Sequence, residues 1–269
     1  MTRPDRSAIR AAIRAVAALA AGVAAPAAGV AALLLAWELA PRLGLVRAAS
    51  VPPFSRVFAE AGTVLADPAF RAEVGGSALR WALGFAAALG IGVPLGLVMA
   101  RSRFVRHAVE PVLTMSYPVP KVALILILVL LFGIGTLARV IIVVLACLIP
   151  IVISSFHGAD AVEPRLIWSA RGLGTSRLGT LFRVVLPAAL PSVLSGVRLA
   201  IGVSIFALMA AELMIRQSGV GAYLFTYYDL GDSPRVWATA ALIATAGFLL
   251  DAAYVRGVKF GLRWLAGEI

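Results

Sequence analysis

Residues 162–187 read VEPRLIWSARGLGTSRLGTLFRVVLP. They are the longest polar interruption in a chain that is otherwise mostly apolar. Arg165, Arg171, Arg177 and Arg183 stand in it against a single acid, Glu163. The spacing predicts two short amphipathic helices about a glycine break. Val162, Leu166, Ala170 and Leu173 fall on one face of the first, and Leu178, Leu181, Phe182 and Val185 do the same in the second. Between them, Gly172-Leu173-Gly174-Thr175-Ser176 can stop one helix and cap the next. Apolar runs flank the interruption on both sides, and they decide the fold.

Of 269 residues, 61% are hydrophobic and 14% charged, where a soluble domain carries about 25% charged residues. Several apolar runs reach the roughly 20 residues that cross a bilayer as a helix. The segments of about ten alternating residues that mark a β-barrel are not seen. The class is therefore all-α, a polytopic membrane protein in contact with the lipid bilayer. The net charge of +11 lies between the apolar runs, so topology accounts for it, and no nucleic-acid partner is expected. The single cysteine, Cys147, sits inside an apolar run; it forbids an intrachain disulfide and reads as a buried thiol. His107 and His157 lie far apart with no cysteine or carboxylate cluster beside them, so no metal site is expected.

Six spans are expected. Arg3, Arg6, Arg10 and Arg14 precede an apolar run over 15–40, too long for a signal peptide and so read as a retained first span. Residues 41–76 are mixed. Within them Phe54, Val57, Phe58, Ala61 and Leu65 predict an amphipathic helix, lying on the membrane surface or packed on the first span. The second span, 77–100, carries Gly84, Gly90, Gly92 and Gly96, whose spacing admits a close neighbour. The third, 110–132, contains the rigid stretch Tyr117-Pro118-Val119-Pro120-Lys121 and ends at Phe132-Gly133-Ile134-Gly135. The fourth covers 137–156. The fifth runs from Pro191 to Met214, with Glu212 near its far end. Residues 215–235 read as a polar loop, the sixth span as 236–255. This divides the chain into an N-terminal part, 1–76, a core of five spans, 77–256, holding the polar loop 157–190, and a tail, 257–269.

An even number of spans puts both termini on one side. Fourteen Lys and Arg residues fall on the side of the termini and the 157–190 loop, against seven on the other. The positive-inside rule therefore places both termini and that loop in the cytoplasm.

The chain has no Walker A loop, no G-x-S-x-G and no H-E-x-x-H. Glu38, Glu212 and Asp251, the acids within apolar runs, sit on different spans near their ends, so no catalytic dyad forms and the chain is not expected to be an enzyme. An ion-coupled secondary transporter or channel, the main rival reading, would place ionisable groups at mid-membrane. Glu38 and Asp251 read as snorkelling or structural. Glu212 either pairs with Arg216 four residues on or lies at an outer gate.

The polar loop resembles the cytoplasmic signature of permeases from binding-protein-dependent ABC importers, E-A-A-x-x-x-G-x(9)-I-x-L-P. Here Trp168-Ser169-Ala170, Arg171-Gly172-Leu173 and Gly174 are followed by nine residues, Thr175 to Arg183, and by Val184-Val185-Leu186-Pro187. Val162-Glu163-Pro164, Pro187-Ala188-Ala189-Leu190-Pro191, Phe132-Gly133-Ile134-Gly135 and Ala211-Glu212-Leu213 are similar to the same family. Trp168 and Ser169 stand where the family favours Glu and Ala. Within the family the chain is most similar to the group that imports nitrate, taurine, aliphatic sulfonates and some vitamin precursors.

The resemblance implies the type I importer permease fold in a bacterial inner membrane. It implies a pair of permeases, here read as a homodimer, two ABC ATPase subunits that bind the ATP and Mg, and a periplasmic or lipid-anchored substrate-binding protein. This chain itself would bind no cofactor. The resemblance makes the loop a coupling helix, with Glu163, Trp168, Ala170, Arg171, Gly172, Gly174, Leu186 and Pro187 at the ATPase. Glu212, Tyr117, Pro118 and Pro120 are the candidates for the translocation path or gate.

Overall fold

The computed structural model describes residues 28–116 and 119–261. Every element among them is helical. In chain order they are α1 (28–42), α2 (Phe54–Ala66), α3 (Pro68–Arg101), α4 (Arg103–Ser116), α5 (Leu124–Phe132, entered by a 3-10 turn at Lys121–Ala123) and α6 (Thr136–Asp160). Then come α7 (Pro164–Gly172), α8 (Arg177–Thr180), a wide π-type turn (Leu181–Val185), α9 (Leu186–Ile215), α10 (Val220–Asp229) and α11 (Ser233–Gly261).

Helix α6 is the spine, packed between α3 and α9. Glycines set the spacing. A Cβ on Gly84 would lie 2.7 Å from Val143 Cβ, on Gly92 2.8 Å from Ile151 Cγ2, and on Gly96 2.6 Å from Val152 O. On the other flank, a Cβ on Gly196 would meet Ser154 Cβ at 2.4 Å, and on Gly158 would meet Ser192 Cβ at 2.7 Å. Without side chains at these points the backbones close up, and dispersion contacts hold helices that the hydrophobic effect cannot press together in lipid. Three of the four glycines in the second expected span are thus helix packing, and a Cβ on Gly90 would meet nothing within 4 Å. Val143, Cys147, Ile151 and Ala200 fill the seam and are buried.

Four helices, α3, α6, the α8–α9 run and α11, are long and apolar enough to cross a membrane. The expected third span is two helices, α4 and α5, bent by 85°; together they make a fifth candidate as one broken span. Tyr117 and Pro118 lie outside the described residues. So does the first part of the expected 15–40 span, of which 28–42 is helical. Helix α3 begins nine residues before the expected second span and runs through Gly75-Gly76, so the boundary drawn at 76 falls inside a continuous helix. Its start is specified locally: Asp67 accepts from Ala69 N–H at 2.9 Å and Pro68 takes the first helical position.

Helix α2 packs against α11 through Val57 and Val64 and meets α1 through Phe54 and Trp37, ring centroids 5.6 Å apart. Glu38 proves structural: it accepts from Ser55 N–H and Ser55 Oγ, both at 2.9 Å, and pairs with Arg42 at 2.5 Å. The expected polar loop at 215–235 contains α10. Val220, Tyr223 and Tyr227 hold its inner face at helical spacing, with Tyr223 against Phe70.

Candidate functional site

Two sites stand at opposite ends of α9, which at 30 residues is about 45 Å long. The first is the 162–187 elbow. Helix α7 starts on Pro164 and stops in a full Schellman closure: Thr175 N–H donates to Ala170 O at 3.1 Å and Gly174 N–H to Arg171 O at 2.9 Å. Gly174 holds φ +83°, the left-handed region that closure demands. Ser176 then caps α8, accepting from Gly179 N–H at 3.1 Å. The break and the cap are as expected from the sequence.

The faces are not. The elbow is pinned to the bundle by Val162, Ile167 and Val185, which join Leu97, Ala159, Ala189, Val193 and Val197 in one buried cluster. Leu166 and Leu173, expected on one face with Val162, are exposed where Val162 is buried, and Leu178 and Phe182 are exposed where Val185 is buried. Helices of nine and four residues are too short to bury a whole face, so one anchor from each end suffices. Trp168 is 68% exposed and Leu173 87%. The result is an apolar surface of Leu166, Trp168, Leu173, Leu178 and Phe182, interleaved with exposed Arg165, Arg171, Arg177 and Arg183. Glu163 is exposed and lies 3.6 Å from Arg165. Gly172 is exposed, and Ala170, Leu186 and Pro187 are half-buried.

The second site surrounds Glu212, which is fully buried. It does not pair with Arg216, which turns away to Asp229 at 3.9 Å. The reason is backbone: Arg216 closes α9 with φ +55°, so the i, i+4 alignment is broken. Glu212 instead takes Arg80 Nη1 at 2.6 Å, Ser77 Oγ at 2.7 and 2.8 Å to its two oxygens, and Gly221 N–H at 3.1 Å. Ser77 Oγ in turn accepts from Val220 N–H at 3.0 Å, and Glu73 accepts from Gly219 N–H. Ser218 Oγ accepts from Arg80 at 3.0 Å and from Arg139 at 2.7 Å. Two arginines thus balance two carboxylates, and of three successive N–H groups at the start of α10 those of Gly219 and Gly221 donate to the carboxylates and that of Val220 to Ser77 Oγ, where a helix N-terminus favours negative charge. The network ties α3, α6, α9 and α10 together at one end. Arg139 is buried, and its Nε and Nη2 have no partner among the described residues. Arg80, a lone charge inside an apolar run, was the sequence signal for this network.

Pro120 is exposed and precedes the 3-10 turn at the α4–α5 bend. Among the described residues no group of three or more His, Cys, Asp or Glu side chains could hold a metal ion.

The family profile of the binding-protein-dependent transport system inner membrane component matches residues 92–256, which takes in the elbow, the spine and the Glu212 end of α9. The chain belongs to this family. As a transport permease it is 32% identical, over 81% of its length and 82% of the relative's, to the taurine transport system permease protein TauC of Escherichia coli (strain K12). It is 30% identical to the putative aliphatic sulfonates transport permease protein SsuC of Bacillus subtilis (strain 168), over 83% of this chain and 81% of that one. It is 27% identical to the nitrate import permease protein NrtB of Synechocystis sp., over 69% and 67%. A permease chain of the MetNI methionine ABC transporter, solved in inward-facing conformations, superposes with a TM-score of 0.60 at 16% identity, covering 70% of this chain and 93% of that one. That likeness fixes the fold as the type I importer permease fold.

Proposed function

We propose that this permease forms the membrane path of an ABC importer and is driven by a separate ATPase that docks on the 162–187 elbow. The observation that carries this is the elbow's surface: five exposed apolar side chains set among four arginines, on a segment pinned into the bundle by Val162, Ile167 and Val185. Such a patch costs free energy in water and marks a protein contact. The elbow joins α6 to α9, so a push on it is transmitted through both helices as rigid bodies. In this reading Trp168 supplies by apolar contact what a carboxylate supplies elsewhere in the family. The arginines meet an acidic rim on the partner.

The assembly comprises two copies of this chain, two ATPase subunits that hold ATP and Mg, and an external binding protein. Both termini and the elbow lie in the cytoplasm, as the Lys/Arg bias supports. Pro120 belongs to the path at the α4–α5 bend, since irregular backbone at membrane depth is tolerated where it lines a cavity, and Tyr117 and Pro118 are assigned to the path from the sequence alone. Glu212 acts on the outer gate by position rather than by touching solute, because its carboxylate is enclosed. The relatives' names point to small oxyanion-bearing solutes such as taurine, sulfonates or nitrate as the cargo.

The test is solute uptake into proteoliposomes. Uptake of taurine, an alkanesulfonate or nitrate that requires internal ATP, the ATPase and the binding protein supports the proposal. Uptake by this chain alone on an ion gradient overturns it.

A further inference from the structure

Arg198 and Asp251 form a bidentate ion pair between α9 and α11, Nε to Oδ1 and Nη2 to Oδ2 both at 2.8 Å. Their side chains are 51% and 35% exposed. They sit in a groove of about 830 Å³ between the two helices, walled by Leu199, Ile205, Phe206 and Phe248.

The depth of the pair matters. On α11, Arg235 and Arg256 are 21 residues apart, about 31 Å, which matches a hydrocarbon core of about 30 Å. Asp251 stands five residues, about 7 Å, inside Arg256. On α9, Arg198 lies 18 residues, about 27 Å, from Arg216. Both groups are therefore inside the apolar slab. A long arginine can snorkel to the boundary, but this one is tied down by two hydrogen bonds, and an aspartate is too short to snorkel at all. An exposed charge pair at this depth faces protein or water, not acyl chains.

We infer that the α9–α11 groove is a water-facing wall of the solute path, and that Arg198 and Asp251 form a polar station there for a dipolar solute. The pair uses two of the five guanidinium N–H groups, so three are not engaged by Asp251, and Arg198 lines the groove. A solute carrying an anion and a cation divides the pair, its anion on Arg198 and its cation on Asp251, and leaves no net charge in the membrane. A singly charged solute would strand one partner. The groove's size suits a small molecule.

This inference rests on the reading of the chain as a transport permease. It is tested by cysteine labelling of the whole transporter in inside-out vesicles, in a Cys147→Ser background. Gly202 lines the groove, and a Cβ there meets nothing within 4 Å, so Gly202→Cys fits. Leu249→Cys, an exposed α11 position that does not line the groove, is the control. A charged, lipid-insoluble thiol reagent is expected to modify Gly202→Cys about tenfold faster than Leu249→Cys. Taurine, used as the dipolar probe, is expected to slow that reaction, and nitrate to leave it unchanged. Modification of Gly202→Cys only by a lipid-soluble maleimide, or its spontaneous disulfide to a second copy, overturns the inference. Equal rates with and without taurine overturn the solute assignment. In proteoliposomes with internal ATP and the external binding protein, uptake that is normal in Arg198→Leu/Asp251→Leu sinks this inference alone, whereas uptake independent of ATP in the unsubstituted protein sinks the underlying reading.

Discussion

Arg80 and Glu212, 132 positions apart in sequence, meet at 2.6 Å inside the bundle, with the carboxylate completely shielded from solvent. The pair joins α3 to the far end of α9 and so closes the three-helix core α3–α6–α9 at the end opposite the elbow. An ion pair in such a place is costly to form. It is far more costly to break from one side, since the surviving charge is left buried and alone.

Single removal should therefore hurt more than joint removal. Arg80→Met or Glu212→Met is expected to cost about 3–5 kcal/mol, and Arg80→Met/Glu212→Met clearly less than the sum. A double-mutant cycle on thermal unfolding of the detergent-solubilised permease measures this. Additive losses would mean the two groups do not act together.

Gly219 is predicted to be irreplaceable. Its φ is +107°, and a Cβ there would stand 2.0 Å from Glu212 Cδ. Gly219→Ala is expected to cost at least about 3 kcal/mol, from backbone strain plus a displaced buried carboxylate. Gly172→Ala meets open space at an ordinary φ and is expected to be neutral or mildly stabilising. Expression yield and melting temperature of the two variants separate the cases.

Gly174 tests the elbow's geometry apart from its contacts. Its φ is +83° but a Cβ there meets nothing within 4 Å of this chain. Gly174→Asn is expected to fold nearly as the parent does, and Gly174→Val to lose about 1–2 kcal/mol, because asparagine tolerates the left-handed region and a β-branched residue does not. Equal melting temperatures for the two would contradict the Schellman closure.

The pH dependence of one surface contact has a definite sign. The hydrogen bond from Tyr223 Oη, at 2.8 Å, and then the Ala69 N–H hold the Asp67 carboxyl below its ordinary value of 3.8. A carboxyl depressed in the folded state stabilises it above the unfolded value and loses that contribution as pH falls through the folded one. The melting-temperature gap between the parent and Asp67→Asn should stay flat from neutral pH down to about 5, then shrink below the ordinary carboxylate range. A gap that widens on acidification would show the opposite linkage.

The sequence made the spans α3, α6, α9 and α11 and the elbow's break legible because apolar runs and a glycine break are local signals. Of the four glycines read as a packing face, Gly84, Gly92 and Gly96 meet α6, and a Cβ on Gly90 would meet nothing within 4 Å. The Glu212 partners were not legible. Ser77 and Arg80 on α3, Arg139 on α6 and Ser218 in the turn before α10 reach one point from three stretches of chain, and only Arg80 announces itself, as a charge inside an apolar run. Arg198 carries the same mark on α9. The acids Glu38, Glu212 and Asp251 drew attention, while Arg80 and Arg198, which answer the last two, did not. The expected faces of the elbow are divided in the fold, because periodicity over nine residues cannot say which apolar residue is the anchor. In the fold that residue is Ile167, and Leu166 beside it faces out.

The central claim is that the elbow's exposed apolar surface holds the ATPase. Trp168 and Leu173 are mostly solvent-exposed in the chain, so Trp168→Asp/Leu173→Asp should leave the melting temperature of the isolated permease unchanged. The direct measurement is Mg–ATP hydrolysis that co-purifies with affinity-tagged permease from its native membranes. The account predicts that this activity accompanies the parent chain and is lost with Trp168→Asp/Leu173→Asp. Full co-purifying hydrolysis with that variant would contradict it.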